Sequence, residues 1–270
     1  MQPTAKTVRP PAVAGAFYPA DAEKLTRQVD GYLAEAKARP LRPKVLVAPH
    51  AGYVYSGPIA ASAYKLLEDL SPRPKRVVLL GPAHTVGFHG LALPAVDALH
   101  TPLGNVPIDE ELEFKALQFP FVLDEARVHA REHSLEVHLP FLQRVLGDFT
   151  VLPLCVGHAS PEEVAQVLEA VWGGPETLIV VSSDLSHYLP WSEAKALDAG
   201  TVQSILAMDV DAMDSELACG AYPLAGVLQV AKKKDLEGTL LDLRNSGDTA
   251  GDKGRVVGYA AIAFCEPGEA

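Results

Sequence analysis

The chain has 270 residues and a mass of 28.8 kDa, the size of a three-layer α/β protein. With 48% hydrophobic and 21% charged residues it can bury a sizeable core, which excludes global disorder. The net charge of −11 argues against a nucleic-acid binder or a polybasic membrane-surface protein, and no apolar run of ~18 residues predicts a membrane span.

Short apolar runs alternate with amphipathic segments. Leu25, Val29 and Leu33 recur at helical spacing and predict a helix over 21–38, with Asp21 as its N-cap. KVLVAP (44–49) reads as a strand buried on both faces, followed by a helix at about 57–69. RVVLLGP (76–82) is a second such strand, and GLALP (90–94) a shorter one. Residues 109–118 and 134–146 have helical spacing. FTVLPLCVG (149–157) reads as a strand in which Pro153 predicts an edge or a bulge. Ser160 and Pro161 mark a helix start. TLIVVSS (177–183) is a strand, and helices are expected at about 192–207 and 221–233. TLLDLRNS (239–246) and VVGYAAIAF (256–264) close the chain as strands around a polar loop, 247–254. The pattern predicts a three-layer αβα sandwich with a mostly parallel central sheet, in one domain over 1–270.

Three of the most apolar strands run directly into histidine-bearing turns. KVLVAP leads to His50, RVVLLGP to His84, and LIVVSS to Asp184 and His187. In an open parallel sheet all carboxyl ends lie on one edge, where ligands bind. If these strands are neighbours, His50, His84 and His187 converge. Neutral imidazole is the commonest transition-metal ligand, so the pattern points to a metal centre. Asp184 is placed to accept a ring N–H and fix a tautomer. Tyr53, Tyr55 and Tyr188 flank the same crevice.

Cys219 precedes the 221–233 helix, where the backbone dipole favours a thiolate. Its residue type suits a metal ligand, a nucleophile, a redox thiol or a buried inert cysteine. In Arg131–His138, two histidines stand five residues apart and cannot share a helical face. His133 and Glu136, three apart, can, and one of them is a candidate to support the crevice. His89, His100, His129 and His158 read as surface residues. The N-terminus lacks the basic-then-apolar order of a secretion signal, and Cys155, Cys219 and Cys265 form no CxxC pair. Both features point to the cytoplasm.

AGAFYP (14–19), APHAGYVYSG (48–57), LLGPAHT (79–85), EHSLEVHLPFL (132–142), VSSDLSHY (181–188), CGAYP (219–223) and NSGDTAGDKGRVVGYAA (245–261) together resemble the Memo family. Its prokaryotic members are called AmmeMemoRadiSam system protein B. The resemblance implies a fold similar to class III extradiol dioxygenases, which hold iron with two His and one Glu. In Memo proteins a cysteine stands in place of that glutamate. Carried onto this chain, the implied ligands are His50, His84 and Cys219, with His187 beside them as the acid/base. Iron or copper is the implied metal, with zinc as a further candidate, and the implied partners are radical-SAM and AMMECR-like proteins. Two residues depart from the family pattern. Thr85 stands where animal relatives have a second histidine, and Phe17 where Trp is common.

The resulting expectation is a metal-dependent, oxidoreductase-like protein acting on a small molecule. His187 would move protons, oriented by Asp184. Other classes remain open: a metal carrier or peptide-binding scaffold, and a zinc hydrolase using the same ligands.

Overall fold

The computed structural model describes residues 7–269; residues 1–6, the first part of the N-terminus expected to lack a targeting signal, and residue 270 lie outside the described residues. The first half of the chain forms β1 (Val8–Arg9), α1 (Ala22–Glu35), β2 (Pro43–Ala48), α2 (Tyr53–Tyr64), β3 (Arg76–Pro82), β4 (Leu91–Leu93), β5 (Ala98–Thr101), β6 (Gly104–Pro107), α3 (Glu110–Ala116), β7 (Val122–Asp124) and α4 (Ala126–His129). The second half adds α5 (Leu139–Leu146), β8 (Thr150–Val156), α6 (Pro161–Val171), β9 (Thr177–Ser182), β10 (His187–Leu189), α7 (Trp191–Leu206), α8 (Ala221–Lys233), β11 (Glu237–Asn245), α9 (Ser246–Thr249) and β12 (Val256–Cys265).

The large sheet has the order β10-β12-β2-β9-β3-β8-β4-β7, and β11 also pairs with β12. Its centre, β2-β9-β3-β8, is parallel. Antiparallel pairs flank it on both sides, β12 against β2 and β4 against β8. Alternate strand residues enter opposite cores, as a period of two requires. Leu46, Leu79 and Val180 pack with α1, α2 and α5 on one face. Val45, Val78 and Ile179 pack with α6, α8 and part of α7 on the other. The result is an α/β, three-layer αβα sandwich. Among the described residues no helix is long and apolar enough to cross a membrane.

Local chemistry starts the helices where expected. Asp21 accepts the Lys24 N–H at 2.9 Å, and Ser160 and Glu163 form a reciprocal capping box on α6. Three expectations change. Pro153 stands in an interior strand without a bulge, paired with Leu79 of β3. On its other side the β4 ladder pairs only Cys155 and Val156, so the proline's missing N–H breaks no rung there. The second helix starts at Tyr53, not 57. The 134–146 segment is a 3₁₀ turn over Glu136–His138 followed by α5. A small sheet, β1-β5-β6, has strands too short to carry a readable period.

Candidate metal centre

β2, β9 and β3 are adjacent and parallel, so their carboxyl ends share one edge. His50 follows β2 and His84 follows β3. Their rings meet edge to face, with centroids 5.1 Å apart. The third ring is His133, 4.7 Å from His84 and stacked on it, and 5.5 Å from His50. One ligand atom from each of these three residues lies within 4.8 Å of the others.

His50 is 2% exposed. Its Nδ1 lies 2.6 Å from Ser182 Oγ, which spends its only proton on the Ser134 carbonyl at 2.6 Å. Ser182 therefore accepts, Nδ1 carries the hydrogen, and the Nε2 lone pair is free. Burial, reinforced by His84 and His133, pushes the His50 pKa well down, so the ring is neutral.

Residues 130–135 form a non-helical loop clamped over the ends of β3 and β9. Ser134 Oγ donates to the Pro82 carbonyl at 2.8 Å. Gly81 makes room, because a Cβ there would come within 2.8 Å of Leu135 and 3.0 Å of Ser134. Glu132, buried beneath the loop, accepts the backbone N–H groups of His84 at 2.6 Å and of His133 and Ser134 at 2.9 Å each. It also accepts the His84 ring Nδ1–H at 2.9 Å. Burial alone would raise the Glu132 pKa. The His84 ring and the backbone donors outweigh burial and hold it at about 2. An ionised carboxylate only accepts, so the His84 Nδ1 carries a hydrogen and Nε2 is the ring nitrogen left to face the site. Glu132 was not singled out from sequence. An acid directly before a histidine, in a segment that spacing already disqualified as a shared helical face, is the available signal.

Cys219 Sγ lies 3.2 Å from His50 Nε2 but does not join the three-histidine group. The Asp184 N–H donates to the sulfur at 3.2 Å. Gly220 lets this turn press onto β9, since a Cβ there would come within 2.6 Å of the Ser182 carbonyl oxygen. Burial, with the Asp184 carboxylate nearby, pushes the thiol up to about 12. Burial thus opposes the helix-terminus preference for a thiolate, and the sulfur faces His50 Nε2. Burial also raises Asp184 to about 7, against the His50 N–H that it accepts at 2.7 Å.

Other expected residues take different places. After β9 the chain passes over the end of β2, with Ser183 N–H on the Ala48 carbonyl, and joins β12. His187 is carried outward with it. It is exposed and makes no ring contact with His50 or His84, though it perturbs His50 electrostatically. Asp184 turns toward His50 and Cys219, and so does not orient His187. Tyr188 sits at the exposed rim. Tyr53 does not line the crevice: it is buried against Tyr18 and Phe141, and its hydroxyl donates to the Val137 carbonyl. Glu136 faces away as well, binding Arg9 at 2.7 Å, Tyr18 at 2.6 Å and the N–H groups of Ala12 and Val13. That clamp fixes the N-terminal arm whose Phe17 ring lies 4.7 Å from His133. His129 is buried rather than on the surface, donating to the Ala92 carbonyl at 2.8 Å.

Fold and site together define a three-layer α/β protein with an imidazole-rich crevice at the carboxyl edge of its parallel strands. The chain belongs to the Memo-like protein family, whose profile matches residues 9–263. A MEMO1 family protein of Aquifex aeolicus is 38% identical over 268 residues, covering 95% of this chain and 99% of its own. Another, from Methanopyrus kandleri, is 39% identical over 279 residues, covering 95% and 98%. An uncharacterized protein of Escherichia coli K12 shares the fold alone, with a TM-score of 0.55 and 17% identity, covering 82% of this chain and 100% of that one.

Proposed function

We propose that the protein binds one transition-metal ion through His50, His84 and Cys219, with His133 as a fourth donor, and uses it in oxidoreductase-type chemistry on a small molecule. The observation that carries this reading is the pair of fixed tautomers. Ser182 and Glu132 each hold an Nδ1–H, so the Nε2 atoms of both rings are turned away from these partners and offered to an ion. The sulfur 3.2 Å from His50 Nε2 supports a shared ion, because tetrahedral bonds of ~2.0 Å to nitrogen and ~2.3 Å to sulfur separate those atoms by about 3.5 Å. A mixed imidazole and thiolate set favours copper, zinc or iron over hard cations. A bound iron or copper ion would supply Lewis acidity and one-electron chemistry.

In this reading Glu132 orients His84, Ser182 orients His50, and His187 exchanges protons at the mouth. Phe17 covers His133 and limits water on that side. Family membership alone supports radical-SAM and AMMECR-like partners. The three free cysteines suit a reducing cytoplasm.

A carrier is the second reading. It is favoured by the donor count, since three imidazoles and a thiolate leave a tetrahedral ion no open position. Anaerobic loading with Fe(II), Cu(I) or Zn(II), followed by oxygen-uptake and hydrolysis assays, separates the readings. Oxygen consumption on catechols with iron supports the oxidoreductase. Tight Cu(I) without turnover supports the carrier. Ester or amide cleavage with zinc would replace both with a hydrolase.

A further inference from the structure

The rim of the crevice on the β10 side has features that the ligand set does not explain. Tyr188 has φ +61° and is 62% exposed. A left-handed backbone on a bulky aromatic residue is strained, and such strain concentrates at functional sites. The register of β10 on β12 shifts between His187 and Leu189, at this residue. Irregularities of this kind re-aim a side chain. Here the Tyr188 ring stands beside His187, with centroids 5.8 Å apart at 67°.

The Arg255 guanidinium lies 5.0 Å from the centre of the Tyr188 ring. No carboxylate or carbonyl among the described residues binds it. The neighbouring acids are engaged elsewhere. Asp248 accepts from Trp191 Nε1 at 2.7 Å and from the Asn245 N–H at 3.1 Å, and Asp252 accepts the Gly254 N–H at 2.6 Å. Lys195 and Lys253 lie over the Trp191 ring, at 4.4 and 4.8 Å from its centre. A chain of net charge −11 thus places three cations over the rings of the 188–191 segment, each resting on an aromatic face. Cation–π contact orients a guanidinium while leaving its N–H fork free for a planar oxyanion.

We propose that Arg255, held by Tyr188, is the anion-binding wall of the histidine crevice and receives an oxyanion, carboxylate or phosphoryl, of the molecule bound there. This deepens the functional reading above and rests on it for the identity of the crevice. The substrate class becomes a small anion that enters past His187. The two lysines on Trp191 add positive charge beside Tyr188 in the same segment and attract such a ligand at long range.

The test titrates metal-free protein, so its outcome does not depend on metal binding. The probes are benzoate, its neutral isostere benzamide, and inorganic phosphate, followed by NMR shifts of the His187 and Tyr188 rings. Benzoate or phosphate is expected to bind at least about tenfold more tightly than benzamide. Whichever anion binds identifies the oxyanion. Arg255→Gln should remove that preference, whereas Arg131→Gln, which alters another unpaired surface arginine, should not. Tyr188→Gly should weaken the anion while leaving the thermal midpoint unchanged or raised, because glycine relieves the left-handed strain. Binding of neither anion more tightly than benzamide, an unaltered preference in Arg255→Gln, or no shift with either anion would overturn the proposal.

Discussion

Glu132 holds His84 at two points, one carboxylate oxygen on the backbone N–H at 2.6 Å and the other on the ring Nδ1 at 2.9 Å. The same carboxylate ties down the N–H groups of His133 and Ser134. One buried acid therefore orients the His84 ring and anchors the backbone that carries His133. Glu132→Ala should lower metal affinity about 10–100-fold, the usual effect of removing such an orienting partner. Glu132→Gln keeps one acceptor and should lose less. Competition with a chelator of known affinity measures both, and an unchanged affinity in Glu132→Ala would separate the loop from the site.

Glu136 gives the second prediction. Its carboxylate faces Arg9, and both side chains are almost fully buried. Glu136→Ala leaves the arginine without its counter-charge and should cost about 3–5 kcal/mol. Arg9→Met combined with Glu136→Met should recover much of that loss. Denaturant unfolding of the two variants tests this, and a Glu136→Ala protein within about 1 kcal/mol of wild type would contradict it.

Much of the site was legible in the sequence because it follows from strand ends. His50 and His84 leave neighbouring parallel strands, and that geometry needs no distant information. The same argument misplaced His187, because β9 is followed by a crossing over β2 that no local spacing encodes. For His133 helical spacing predicts only a supporting role, because that spacing assumes a helix the segment does not form. Tertiary bonds from Ser134 to Pro82 and from Ser182 to Ser134 hold it in a non-helical loop. Glu136 was drawn off by Arg9, 127 residues earlier in the chain. The Cys219 thiol was judged by its helix terminus, whereas burial dominates its protonation.

Lys44 gives a prediction remote from the histidines. It sits at the amino end of β2, nearly buried, with Nζ donating at 2.8 Å to the carbonyls of Trp172, Gly174 and Thr177. Lys44→Met fills similar volume but strands three acceptors, and should cost about 2–4 kcal/mol. Metal affinity should not change. A variant as stable as wild type would show that the cage contributes nothing.

Acid should destabilise the fold through buried neutral histidines. Burial lowers His129 to about 4 and His138 to about 3, from the ordinary 6.5. As pH falls through 6.5 the unfolded chain takes up these protons and the folded chain does not. The stability they contribute is present above 6.5 and is lost as pH falls toward 4, by about 3 kcal/mol for His129. Thermal midpoints from pH 7.5 to 4.5 should decline, and less steeply in His129→Gln. Parallel curves for the two proteins would rule this source out.

The central claim is that one ion sits among His50, His84, His133 and Cys219. Anaerobic equilibrium dialysis of the purified protein against Cu(I), Fe(II) and Zn(II), alongside His84→Ala and Cys219→Ala, tests it most directly. The prediction is one ion per chain for at least one of these metals, with affinity reduced about tenfold or more in each variant. Stoichiometric binding that both variants retain unchanged, or no binding of any of the three metals by the wild type, would contradict it.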